Sequence, residues 1–91
     1  MNPEMKELFN VVQFFPDGTH EYVRRNSSVE EVGRAFAHYT SSVGAKFGTT
    51  VRVIITDSGD STCAEWVFGK GLTFPTPEML ANGVKREGSL Q

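Results

Sequence analysis

One cysteine, Cys63, stands among the 91 residues, and a single thiol excludes an intramolecular disulfide and suits a reducing compartment. Long apolar runs are also missing, since none approaches the roughly 20 residues that a membrane-crossing helix needs. Met1-Asn2-Pro3-Glu4 offers neither the basic nor the apolar region of a secretory signal. The expected location is the cytoplasm. Charge of one sign is equally scarce: nine Lys and Arg against eleven Asp and Glu give a formal net charge of −2, which leaves no global positive field to hold a polyanion by counterion release. Nucleic acid is therefore disfavoured as the main partner, although Arg24, Arg25, Arg34, Lys46 and Arg52 make up a basic subset.

Chemical signatures are lacking as well. Gly69-Lys70-Gly71 has neither the spacing nor the trailing Lys-Ser/Thr of a phosphate loop. Asp57 and Asp60 flank Gly59, but the further ligands and distal glutamate of a calcium loop are absent, so a polar hairpin turn is the better account. His20 falls on a predicted edge strand and His38 on the polar side of a predicted helix, with no nucleophile between them. Cys63 lies on a predicted strand and reads as a small hydrophobe. The sequence therefore predicts no catalytic residue, no metal ligand and no cofactor, and the protein is not expected to be an enzyme.

What is present is the material of a small folded domain. Hydrophobic content is 38% with ten aromatic residues, seven of them Phe. A chain of this length buries only about 60–65% of the surface it exposes when unfolded, so the core is thin and Phe is expected to fill an unusual share of it. Residues 8–15 are apolar on both alternation faces, with Phe9, Val11 and Phe15 on one side and Leu8, Val12 and Phe14 on the other. A strand of that kind needs cover on both faces. Pro16-Asp17-Gly18 is a hairpin turn, and residues 19–25 return as a more polar edge strand.

Ser28-Val29-Glu30-Glu31 has the spacing of a capping box. Behind it Val29, Val32, Phe36, Tyr39, Val43 and Phe47 recur every three or four residues, which predicts one helix with a single apolar stripe, stopped at Gly48. Residues 50–56 form a third strand, with Val51, Val53 and Ile55 on one face and Ile54 on the other. A polar turn at 57–61 leads to a fourth strand over 62–68. The fold class is therefore α+β: a ββαββ chain whose four-stranded antiparallel sheet, order 2-1-3-4, packs on one main helix. After a flexible joint at residues 69–71, Thr76 as cap, Pro77 and the Asn82-Gly83 stop predict a short C-terminal helical turn. Residues 1–83 are expected to form the single domain, and residues 84–91 a flexible tail.

The stretches His38-Tyr39-Thr40, Arg52-Val53-Ile54-Ile55-Thr56-Asp57 and Glu65-Trp66-Val67-Phe68-Gly69-Lys70-Gly71-Leu72-Thr73-Phe74-Pro75 resemble small phage- and prophage-encoded α+β proteins of unknown function. That resemblance implies a short accessory protein that acts by occupying a host or phage partner, as phage inhibitors of bacterial defence systems do. It implies no functional residue.

One helix covers one face of a sheet, so the second face must be closed by residues 72–80, by self-association or by a partner. These considerations predict a non-catalytic protein-binding domain, with a homodimer also expected. Tyr22, Arg24, Trp66, Lys70 and Phe74 are the candidate partner-binding residues. His20, Tyr22 and Arg24 alternate onto one strand face, which also fits a platform for single-stranded RNA. A third reading is a small-molecule or enzymatic site formed only in an oligomer.

Overall fold

Strand-forming runs and turn residues alternate along the chain, and the elements follow them. The computed structural model describes residues 7–75. Strands β1 (Phe9–Phe14) and β2 (His20–Ser27) precede helices α1 (Val29–Thr40) and α2 (Val43–Phe47), and strands β3 (Arg52–Asp57), β4 (Thr62–Val67) and β5 (Gly71–Phe74) follow. All five strands join one antiparallel sheet in the order β2-β1-β3-β4-β5. The apolar strands β1 and β3 lie inside it, and the polar β2 is an edge.

The first hairpin closes as Pro16-Asp17-Gly18 predicts. Gly18 N–H donates to the Phe15 carbonyl at 3.0 Å, Phe15 N–H donates to the Thr19 carbonyl at 2.9 Å, and Gly18 has φ 90°. This is a type I turn followed by a left-handed bulge residue. The Asp17 carboxylate accepts from the Thr19 hydroxyl at 2.7 Å and from its N–H at 3.0 Å, which holds its pKa below the ordinary value.

The fifth strand corrects the sequence expectation. Residues 69–71 were expected to be a flexible joint, yet they make a second tight reversal. Lys70 N–H donates to the Val67 carbonyl at 2.9 Å, with Gly69 at φ 84°, the left-handed conformation a type II turn requires at its third residue. The chain therefore returns along β4, pairing Leu72 with Trp66, and residues 71–74 extend the sheet rather than folding over its second face. The helical turn expected over 76–83, with Met79 and Leu80, and the tail at 84–91 lie outside the described residues.

The expected single helix is two. Its start is as predicted: the Ser28 side chain accepts from Glu31 N–H and the Glu31 carboxylate accepts from Ser28 N–H, both at 3.2 Å. It ends at Thr40 because the next two residues compete for backbone groups. Ser41 Oγ donates to the Ala37 carbonyl at 2.7 Å, and Ser42 Oγ accepts from Ala45 N–H at 3.1 Å as the cap of α2. The change of direction takes Val43 and Phe47 out of the apolar stripe, leaving them 72% and 77% exposed. Gly48, at φ 87°, ends α2 as the sequence implies.

Helix α1 packs across β1, β2 and β3. The centre is built of Val11, Val32, Ala35 and Val53, ringed by half-buried Phe9, Val23, Phe36, Tyr39, Ile55 and Trp66. The core is thus centred on valines, and no Phe among the described residues is fully buried. In a thin core the middle layer has room for short side chains, and the large rings stand at its rim.

Candidate functional site

Among the described residues no helix covers the second face of the sheet, and that face carries a continuous row of interacting side chains. It starts on β2, where the Arg25 guanidinium lies 4.2 Å from the Tyr22 ring centroid. Tyr22 meets His20 edge-on at 5.8 Å, and His20 meets Phe14 of β1 at 5.6 Å. Arg52 of β3 stands 4.8 Å over Phe14 and forms an ion pair with Glu65 of β4. Thr73 of β5 donates its hydroxyl to Glu65 Oε1 at 2.6 Å. The row crosses all five strands.

Beneath it runs an apolar floor. Val12 and Ile54 are directly opposed across β1 and β3 and only 3% and 7% exposed. Beside them Asn10 ties two strands together, its Nδ2 donating to Thr56 Oγ1 at 3.3 Å and its Oδ1 accepting from Asn26 N–H at 3.0 Å. The surface is held in place before any partner arrives, which lowers the cost of ordering it on binding.

Glu65 receives hydrogen bonds from the Thr73 hydroxyl and from Arg52, and in that order these hold its carboxyl below the ordinary glutamate pKa. A carboxylate depressed in the folded state adds stability above its unfolded pKa and loses it as pH falls through the folded value. Glu65→Gln should therefore lower the melting temperature at neutral pH, and the gap from the parent should close as pH falls through and below the ordinary glutamate range. A gap that is constant across this range would show that the carboxylate is not stabilised by its neighbours.

The five residues predicted to bind a partner do not form one surface. Tyr22 lies on the open face, at its β2 edge. Arg24 does not, because β2 carries an extra residue: Val12 pairs with Tyr22 while Val11 pairs with Arg24, so strict alternation fails between them. The bulge turns Arg24 toward the α1 side and brings Arg25 to Tyr22 instead. Trp66 packs against the core on the α1 side, Lys70 is exposed in the β4–β5 turn, and Phe74 is exposed at the end of edge strand β5. Sequence reading missed Phe14, Arg25, Arg52 and Glu65 as members of the face. The polar residues of β3 alternating with its valines were the available signal for Arg52.

Asp57 belongs to the turn it was expected to make. Its Oδ1 accepts from Gly59 N–H and Ser61 N–H, both at 2.9 Å. Asp60 occupies the left-handed position of that turn at φ 65°, the position Gly18 holds in the first hairpin. Asp60→Gly should raise stability by roughly 0.5 kcal/mol, since glycine adopts this conformation without the Cβ clash but gives up more chain entropy; the urea midpoint reads it. His20 lies on the open face and His38 on α1, as predicted. Cys63 is exposed rather than packed, its thiol donating to the Ser61 carbonyl at 3.7 Å. Among the described residues no three His, Cys, Asp or Glu side chains are grouped to hold a metal ion, and no helix is long and apolar enough to cross a membrane.

No protein-family model, curated protein or solved structure matches this chain.

Proposed function

We propose that this chain is a non-catalytic protein-binding domain that acts by occupying its partner through the open face of the sheet. The observation that carries the reading is the row from Arg25 through Tyr22, His20, Phe14 and Arg52 to Glu65, laid over the Val12–Ile54 floor. Aromatic residues and arginine are the side chains enriched at protein interfaces and at their energetic centres. Asp57 is engaged in its turn and the two imidazoles lie on different elements, which supports a role without catalysis. The resemblance to small phage and prophage proteins gives the partner its kind: a host or phage protein, with a component of a bacterial defence system as the foremost case.

The same rings and guanidinium groups would also suit the stacking of unpaired bases. Against that use, Arg52 is already paired with Glu65, and Arg25 is the one other cation named in the row. A second copy of the chain is the other rival occupant.

The test is affinity capture from a bacterial host with the parent chain and with a folded Tyr22→Ala variant, followed by titration of the purified complex. A saturable complex of fixed stoichiometry that the variant loses supports the reading. Equal complex formation by both chains contradicts it. Salt-dependent binding of a single-stranded oligonucleotide would move the face to nucleic acid, and a concentration-dependent dimer lost in the variant would assign it to self-association.

A further inference from the structure

The bulge in β2 has a second consequence on the opposite side of the sheet. It delivers Arg24 to a groove of about 320 Å³ whose other walls come from α1: Glu31, Arg34, Ala35, His38 and Tyr39. Arg34 and Ala35 lie three and four residues after Glu31, and His38 lies four and three residues after them, so one stripe of the helix faces Arg24. Ala35 is almost fully buried and leaves room between the longer side chains.

The charges in this groove are unbalanced. Its only carboxylate, Glu31, is engaged by the Ser28 backbone N–H at the start of α1. Neither Arg24 nor Arg34 has an ion-pair partner among the described residues, where Arg52–Glu65 is the pair found. Arg24 is nonetheless oriented, since its Nη1 donates to the Val23 carbonyl at 2.7 Å while its other N–H groups remain available. His38 packs edge-on against Tyr39, with ring centroids 4.8 Å apart, which places an imidazole and a flat ring together at one end. Two guanidinium groups on a shared cavity, neither with an ion-pair partner among the described residues, are a strong match for a phosphate, whose oxygens accept paired N–H bonds.

We propose that this groove binds a phosphomonoester carried on a small organic body, with Arg24 and Arg34 on the phosphate and the Tyr39–His38 end against the body. Its volume lies at the lower limit of small-molecule pockets, roughly 300–1,000 Å³, which fits a ligand of mononucleotide size rather than a larger cofactor. The site is distinct from the open face, because the sheet separates the two.

Adenosine 5′-monophosphate, adenosine and inorganic phosphate are the probes, titrated at matched ionic strength into the full chain and followed by amide chemical shifts. The nucleotide should give saturable shifts at residue 24 and residues 31–39, and adenosine should give none. Arg24→Gln and Arg34→Gln should each weaken binding about tenfold or more, with melting temperatures near that of the parent because both side chains are exposed. The nucleotide should bind more tightly than inorganic phosphate, and equal affinity for the two would overturn the contact between the organic body and the Tyr39–His38 end. The proposal is overturned if no probe saturates, if sodium chloride produces the same shifts, or if both arginine variants bind as the parent does.

Discussion

Phe36→Ala lowers stability by about 3 kcal/mol, the low end of the usual range for truncating a core Phe, because the ring is half-buried at the rim of the Val11–Val32–Ala35–Val53 cluster. Marginal stability in a domain of this size makes that a large fraction of the total, which is on the order of 5–14 kcal/mol at typical values per residue. The sequence places Phe47 in the same helical stripe, yet it is 77% exposed on α2, and Phe47→Ala should stay within about 0.5 kcal/mol of the parent. Urea denaturation of the two variants separates a continuous helix from the broken one. Equal losses would restore Phe47 to the core, and a Phe36→Ala protein melting within a degree or two of the parent would remove Phe36 from it.

The second large effect falls on binding. Tyr22→Ala should weaken the partner complex by about 2 kcal/mol or more, roughly thirtyfold, as truncation of an interface anchor does. The ring stands between the Arg25 guanidinium and His20, so its loss removes an aromatic contact and frees the two groups it holds in place. The Arg25–Tyr22 contact itself contributes only about 0.5–1 kcal/mol at an exposed site, so folding should be little affected while binding falls. Tyr22→Phe keeps the ring and should retain most of the affinity. Titration of the purified complex measures both variants.

The parts of the fold that were legible in the sequence are those set by local chemistry. Pro16-Asp17-Gly18 specified its turn, Ser28 and Glu31 their capping box, and the apolar β1 and β3 their inner places in the sheet. The failures lie where a neighbour decides. Ser41 and Ser42 break a helix whose periodicity continues through them, because hydroxyl competition for backbone groups leaves the apolar spacing unchanged. Gly69 and Gly71 serve a hairpin as readily as a joint, and only pairing with Trp66 tells them apart.

The candidate site was less legible for a related reason. Tyr22 was placed correctly by alternation, but one extra residue in β2 exchanged Arg24 for Arg25, and a bulge of this kind has no signature in the strand's composition. Phe14 reads as core in a sequence so rich in Phe. Its place under Arg52 follows from β3 lying against β1, a contact made across 38 residues of chain.

Val12 and Ile54 provide the most direct measurement, since their methyl groups lie under the open face while those of Val11 and Val53 face α1. With the partner captured by the parent chain added to saturation, methyl spectra should show the largest shifts at Val12 and Ile54, with Val32 and Val53 nearly unmoved. Shifts confined to Val43 on α2, with Val12 and Ile54 unchanged, would place the partner elsewhere and contradict the assignment of the open sheet face as the binding surface.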